Sequence, residues 1–207
     1  MTNEKSKLLV PALTVFIVLV LFESFLMAGT VSLPQTGETV CYDSYGNKFP
    51  CTGTGRDGDK QAGLPWPSPR FTNPDGTTPI NGYVLIDQLT GLMWTRKGNL
   101  SSSAMAWQAA IDYVAGMNGG KYANFGYTDW RLPNVNELES LVNAGESNTA
   151  GWLNEKGFTN VLQNSYWSST TYSKTTSLAW IVDLGNGDIN YNNKTNVNYV
   201  LPVRSVP

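Results

Sequence analysis

The longest hydrophobic stretch of the chain lies near its N-terminus. Residues 8–22 are almost entirely apolar, and Lys5 and Lys7 precede them. A basic start followed by an apolar stretch of this length is typical of a signal peptide, so we predict one over residues 1–28. The alternative is an uncleaved membrane anchor, because residues 25–27 extend the apolar stretch toward the length that spans a bilayer. Both interpretations predict an exported protein, located in the periplasm, at the cell surface or outside the cell.

Residues 29–80 have few apolar clusters and many glycines and prolines, which is typical of turns and extended linker. Cys41 and Cys51 are the only cysteines, and Tyr-Gly-Asn at residues 45–47 can reverse the chain between them. In an oxidising compartment we predict a disulfide that closes a small hairpin, followed by linker. Two free thiols would be expected only if the protein stayed in the cytosol.

A different pattern begins at Tyr83 and predicts a folded domain over residues 81–207. Two strands are expected at residues 83–86 and 92–95, around a short turn. Four more short strands are expected after the helices, at residues 166–167, 179–184, 188–191 and 199–203. The Gly-Asn-Gly sequence at residues 185–187 predicts a hairpin turn between the second and third of them.

Two helices are predicted between the two sets of strands. Ser103 can cap the first, which should run to about Val114, and apolar residues at helical spacing should form its buried face. Asn134 can cap the second while Glu137 reaches back to the Asn134 amide, and Gly145 is expected to end it. The buried stripe of this second helix is expected to comprise Leu138, Leu141 and Val142. The predicted fold class is α+β, with two helices packed on short, mostly antiparallel strands.

Charge and composition exclude several classes of function. The 14 Lys and Arg against 16 Asp and Glu give a net charge of -2, so no basic field is present to attract nucleic acid. The chain has no histidine, which removes the commonest general base and transition-metal ligand. The hydroxyl groups of Ser168, Ser169 and Thr170 have no neighbouring base to activate them. We therefore expect a protein that is not an enzyme and that uses no metal or cofactor.

Several motifs, in order along the chain, resemble those of a known bacterial family. They are DxxTGLMW at residues 87–94, YTDWRLPNxxEL at 127–138, YWSST at 166–170, AW at 179–180 and VR at 203–204. The chain resembles the Lcl C-terminal domain family over about residues 82–206. The resemblance implies a C-type-lectin-like fold and an extracellular or envelope location. The family is named for a collagen-like adhesin that is similar to this chain in these motifs and that binds sulfated polysaccharide through a trimer.

The same motif residues also have a structural interpretation. Large buried surfaces for a small mixed fold are offered by Trp94, Trp130, Trp167 and Trp180. Arg131 can serve as a ligand clamp, but an arginine before a capped helix more often pairs with a carboxylate or with carbonyl groups and holds the loop. We favour the structural role for Arg131, although a bidentate arginine suits either purpose.

Residues 187–199 are dense in asparagine and tyrosine. Tyrosine offers rigid amphipathic contact and asparagine offers adaptable donors and acceptors, a mixture typical of recognition surfaces. A solvated hairpin loop, in which asparagine only tolerates turn geometry, explains the same composition. On the first interpretation, the candidate ligand-binding residues are Tyr172, Lys174, Asp188, Asn190, Tyr191, Asn193, Asn196 and Asn198.

Basic residues in the second half of the chain are scattered, so the sulfated ligand of the adhesin is not expected here. We expect instead an exported surface or envelope adhesion module that recognises a neutral glycan or a protein ligand. One alternative is a structural envelope or filament component, in which the chain forms homo-oligomers. Another is a ligand-binding protein of a diversity-generating retroelement, which the Asn-rich end of the domain resembles. Membrane contact is expected only through an uncleaved N-terminal segment.

Overall fold

The computed structural model describes residues 33–206, so the predicted signal peptide or anchor lies outside the described residues. Within that range, none of the helices combines the length and the apolar character needed to cross a bilayer. The described helices are α1 (Asp57–Lys60), α2 (Trp107–Asn118), α3 (Val135–Glu139) and α4 (Thr149–Glu155). The strands are β1 (Cys41–Tyr42), β2 (Lys48–Phe49), β3 (Phe71–Thr72), β4 (Val84–Asp87), β5 (Leu92–Thr95), β6 (Ser165–Thr171), β7 (Leu178–Asp183), β8 (Ile189–Asn193) and β9 (Val203–Ser205).

A four-stranded antiparallel sheet, in the order β3-β4-β5-β9, contains the first predicted strand pair. The turn between β4 and β5 depends on Asp87, whose carboxylate accepts hydrogen bonds from the Leu89 amide and the Thr90 hydroxyl. Gly91 completes the turn with φ +68°, a conformation that favours glycine. The turn therefore explains the spacing of the DxxTG motif.

The second sheet is three-stranded and antiparallel, in the order β6-β7-β8. The predicted hairpin turn at residues 185–187 is confirmed, and Gly187 has φ +83°. The strand expected at residues 199–203 is wrong in extent, because β9 begins only at Val203. Pro202 has no N–H to donate to a ladder, and Tyr199 forms only an isolated parallel bridge with Tyr166.

The helix α2 differs from the prediction at both ends. It begins at Trp107 and not near Ser103, and its cap residue Ala106 makes no side-chain capping bond. The Trp107 N–H instead donates to the Lys194 carbonyl at 3.0 Å. A carbonyl from a distant loop thus replaces the predicted serine cap, which only the tertiary structure could supply. The helix continues beyond Val114 to Asn118.

The capping box of α3 is confirmed. Asn134 accepts from the Glu137 amide at 2.9 Å, and Glu137 accepts from the Asn134 amide at 2.8 Å. The helix ends at Glu139 and not near Gly145. At this C-terminal end, the Ser140 hydroxyl donates to the Glu137 carbonyl. Leu138 is buried as expected.

The sequence predicts two helices in the folded domain, and residues 33–206 contain four. The unexpected α4 is capped by Asn148, whose side chain accepts from the Gly151 amide at 2.9 Å. The other unexpected helix, α1, is a single turn that begins at Asp57.

Residues upstream of 81 are partly built into the core. The predicted disulfide is present between Cys41 and Cys51, and it joins the β1–β2 hairpin to the residues that follow it. Phe71 and Ile80 are 3% and 8% exposed and belong to the same buried cluster as Trp94. The segment before residue 81 is therefore not a free linker, because its apolar side chains complete the core and β3 pairs with β4.

Candidate functional site

Tyr172, Trp180 and Tyr191 form a partly exposed cluster on the three-stranded sheet, which we call the aromatic face. The rings of Tyr172 and Tyr191 stack with their centroids 4.4 Å apart and an interplanar angle of 15°. Trp180 meets both rings edge-on, with centroid distances of 5.3 Å to Tyr172 and 6.2 Å to Tyr191. The side chain of Tyr191 is 46% exposed. The sheet thus presents an aromatic surface whose members hold one another in place.

Strand register brings these three rings together. Trp180 on β7 and Tyr191 on β8 are direct cross-strand partners, so their side chains lie on the same face of the sheet. Tyr172 follows the last residue of β6, and its N–H donates to the Leu178 carbonyl at 3.0 Å. Tyr172 and Tyr191 were predicted from the sequence. Trp180 was expected to be core, yet it is only partly buried.

Asparagine side chains organise the outer edge of the sheet. The register places the N–H groups of Tyr191 and Asn193 on the side of β8 that faces away from β7. The Tyr191 N–H donates to Asn190 Oδ1 at 2.8 Å, and the Asn193 N–H donates to Asn192 Oδ1 at 2.9 Å. These side chains therefore occupy donors that an edge strand otherwise leaves unpaired.

The loop after β8 is held by further asparagine contacts. Asn196 Nδ2 donates to Asn192 Oδ1 at 2.7 Å. The Thr195 amide and hydroxyl both donate to Asn193 Oδ1, at 3.1 and 2.9 Å. Asn193 and Asn196 remain exposed. Asn193 lies on the same face of β8 as Tyr191, so it presents an ordered amide beside the aromatic face, whereas Asn196 contacts Asn192 on the opposite face.

Lys194 follows β8 and lies on the face of the sheet opposite Tyr191, because the register that pairs Tyr191 with Trp180 continues through Lys194 and Ser177. Its Nζ donates to Thr171 Oγ1 at 2.9 Å and lies 4.1 Å from the centroid of the Trp107 ring. This arrangement depends on the pairing of residues 194–198, after β8, with residues 105–107, which no local pattern contains. The predicted Lys174 is exposed in the β6–β7 turn.

Two of the predicted residues do not join the aromatic face. Asn198 is 4% exposed, and its backbone pairs in both directions with Met105, so we correct its assignment from ligand contact to buried structural residue. Asp188 lies at the other end of β8 and accepts from Asn186 Nδ2 at 2.6 Å. Asp188 precedes Asn193 by five positions, about 17 Å at the usual rise. The structure thus brings together Tyr172, Tyr191 and Asn193, while Asn196 contacts Asn192 on the opposite face of β8.

The structural role favoured for Arg131 is confirmed by its pairing. Its guanidinium donates to both oxygens of Glu137, at 2.6 and 2.7 Å. Burial pushes the pKa of Glu137 upward, but the hydrogen bonds from Arg131 and from the Asn134 amide outweigh it and hold the pKa below its usual value. One carboxylate therefore serves both the loop and the cap of α3.

Asp129, from the same motif as Arg131, and Arg204, from the VR motif, form a second bidentate pair. Arg204 donates from Nε to Asp129 Oδ1 at 2.7 Å and from Nη2 to Oδ2 at 3.1 Å. These hydrogen bonds lower the pKa of Asp129. The Arg204 guanidinium also lies 4.3 Å from the centroid of the Tyr127 ring. The closing strand β9 is thereby joined to the loop before α3.

The hydroxyl groups of the YWSST motif make structural hydrogen bonds. Ser168 donates to the Trp180 carbonyl at 2.8 Å, and Ser169 donates to the Pro133 carbonyl at 3.2 Å. Thr170 accepts from the Val135 amide, which is the first residue of α3, at 3.1 Å. Across residues 33–206, no group of three or more acidic or cysteine side chains is placed to hold a metal ion.

Comparison with known proteins agrees with the motif pattern. The sequence profile of the Lcl C-terminal domain matches residues 83–204, which is more than half of the chain. A search of curated proteins gave no match. The matched range contains the aromatic face, both bidentate pairs of the motif loops and the capping box. The chain belongs to the Lcl C-terminal domain family.

Proposed function

We propose that the protein is an exported adhesion module, with a C-type-lectin-like fold, that binds a neutral glycan on the aromatic face. The observation that carries the proposal is the stacked pair of Tyr172 and Tyr191. Their ring centroids are 4.4 Å apart, and Tyr191 is 46% exposed. Flat aromatic surfaces pack against the apolar faces of sugar rings, and nearby amides bond the hydroxyl groups. Asn193, on the same face of β8 as Tyr191, supplies such an amide beside the rings.

The hydrogen bonding at the outer edge of β8 favours a glycan ligand over a protein partner that binds by adding a strand. A partner that adds a strand needs the outward N–H groups of β8. Those of Tyr191 and Asn193 already donate to Asn190 and Asn192. Strand addition would have to displace both asparagine side chains, whereas a sugar that lies flat on the rings would leave them in place.

The charges around the aromatic face support a neutral ligand. Lys174 is exposed, whereas Lys194 lies on the opposite face of the sheet, where Thr171 and the Trp107 ring engage its amine. A polyanion would require a cluster of cations, and one exposed lysine does not form it. This arrangement does not favour the sulfated polysaccharide that the adhesin of the family binds.

Two observations support an exported location. The Cys41–Cys51 disulfide suits an oxidising compartment. Membership of the Lcl C-terminal domain family associates the chain with surface and adhesin proteins. The predicted signal peptide or anchor would direct the protein out of the cytoplasm.

A glycan array probed with the full chain tests the proposal. We expect retention of a neutral glycan and a loss of affinity of at least about tenfold for Tyr191→Ala, because an aromatic contact surface is removed. Tyr45→Ala is the matched control, since Tyr45 is 88% exposed and lies in the β1–β2 turn. Absence of any retained glycan, or an equal loss in both variants, would contradict the proposal.

A further inference from the structure

A cleft of about 570 Å³ lies between the upstream segment and α4, outside the aromatic face. Its apolar walls include Trp66, Phe71 and Trp152 together with Pro65, Pro67 and Pro69. Arg70 and Lys156 also line it, and none of its lining residues is acidic. The volume falls in the range of sites for small organic ligands.

Arg70 contributes a buried charge to this cleft. Its side chain is 4% exposed. Nε and Nη2 donate to the two oxygens of Asp87 at 3.0 Å each, and Nη2 also donates to the Ser140 carbonyl at 2.6 Å. Nη1 is buried and has no hydrogen-bond partner within the described part of the chain. It belongs to the side of the guanidinium that faces away from the bidentate contact with Asp87.

The aromatic walls hold this guanidinium in place. Its central carbon lies 4.4 Å from the centroid of the Trp66 ring, 5.0 Å from that of Phe71 and 5.7 Å from that of Trp152. A buried donor without an acceptor is costly, so Nη1 gains from any ligand oxygen that reaches it. Because Nη1 is closed to solvent, a ligand has to displace part of the aromatic wall that covers it. An ionised oxygen would make a charge-assisted hydrogen bond there.

The charge balance indicates which anion fits. The charges of Arg70 and Asp87 cancel within their pair, so Lys156 is the remaining charge among the lining residues. The single positive charge of Lys156 balances a ligand with one negative charge, but it does not balance the two negative charges of a phosphate dianion. We propose that this cleft binds a small monocarboxylate with an apolar body, placing the carboxylate at Arg70 Nη1 and Lys156 and the body against Trp66 and Trp152.

Most of the proposed site lies upstream of residue 83, where the family match begins. The site is also separate from the aromatic face, since the two share no lining residue. Loss of carboxylate binding and loss of glycan binding are therefore distinguishable outcomes. A variant at Tyr191 should leave the carboxylate site intact.

Calorimetric titration of the full chain with benzoate and with benzamide tests the proposal. The two probes share size and shape but differ in charge. We expect benzoate to bind at least about tenfold more tightly, because it alone carries a negative charge to pair with the cations of Arg70 and Lys156. In a nuclear magnetic resonance spectrum, benzoate should shift the Arg70 guanidinium resonances and benzamide should not, which locates the ligand without altering Arg70.

Lys156→Gln should weaken benzoate binding by about two- to fivefold and leave benzamide unchanged, since Lys156 is exposed and its charge is screened. Lys121→Gln is the matched control, because Lys121 is exposed and does not line the cleft. Equal affinity for the two probes, no binding of benzoate, or benzoate binding without a shift at Arg70 would each overturn the proposal.

Discussion

Arg70 and Asp87 form a bidentate ion pair in which Nε and Nη2 each lie 3.0 Å from a carboxylate oxygen. Arg70 precedes the range that matches the family, and Asp87 begins its first motif. Asp87 also accepts the two hydrogen bonds that shape the β4–β5 turn. The upstream segment is therefore joined to the family domain at the residue that organises its first hairpin.

Replacing Asp87 with alanine should strongly destabilise the fold. The change leaves the buried Arg70 charge unpaired and removes the acceptor of the β4–β5 turn, so we expect a loss of about 3–5 kcal/mol in the free energy of unfolding. Urea denaturation measures the effect. Lys60→Ala is the control, because the side chain of Lys60 is 64% exposed and its loss should leave the stability nearly unchanged. A loss at Asp87 no larger than at Lys60 would contradict the assignment.

The cap of α3 offers a second, smaller test. Asn134→Ala removes the acceptor of the Glu137 amide and should lower the free energy of unfolding by about 1 kcal/mol. Asn136→Ala is the matched control, since Asn136 lies exposed within the same helix and does not cap it. Thermal unfolding of both variants compares the two positions, and equal stability would show that the cap is dispensable.

Glu137 should make stability depend on acid pH. Its pKa is held below the usual value in the folded protein. Its contribution is therefore present above the unfolded pKa, about 4.3, and is lost as the pH falls through the lower folded pKa. Melting temperatures measured down to acid pH should fall more steeply for the natural protein than for Glu137→Gln. Parallel curves for the two proteins would refute the link between this carboxylate and acid stability.

Local sequence was sufficient wherever one short segment contains all the interacting groups. Asn134 and Glu137 lie three residues apart and form the predicted capping box. Cys41 and Cys51 close a short loop and are bonded as predicted. The predicted start of α2 was wrong because the acceptor for its first N–H is the carbonyl of Lys194, far along the chain. The local sequence around Ser103 contains no information about that contact.

The candidate site was predicted in part. Tyrosine and asparagine content identified Tyr191 and Asn193, but composition alone also included Asn198, which packing removes from the surface. Trp180 was expected in the core with the other motif tryptophans. Trp180 lies on the central strand β7, on the face opposite Ala179, where its ring meets Tyr172 and Tyr191 edge-on and is only partly buried.

The family, the α+β class, the hairpin turns and the disulfide could be predicted from the sequence, because each depends on residues close in the chain or on an ordered set of motifs. The way in which the upstream segment joins the core, and the side chains that form the aromatic face, are seen only in the folded protein. Burial of Arg70 against Asp87 and stacking of Tyr172 on Tyr191 depend on strand register and packing between distant segments. Local patterns do not encode such long-range contacts, so only the folded chain shows them.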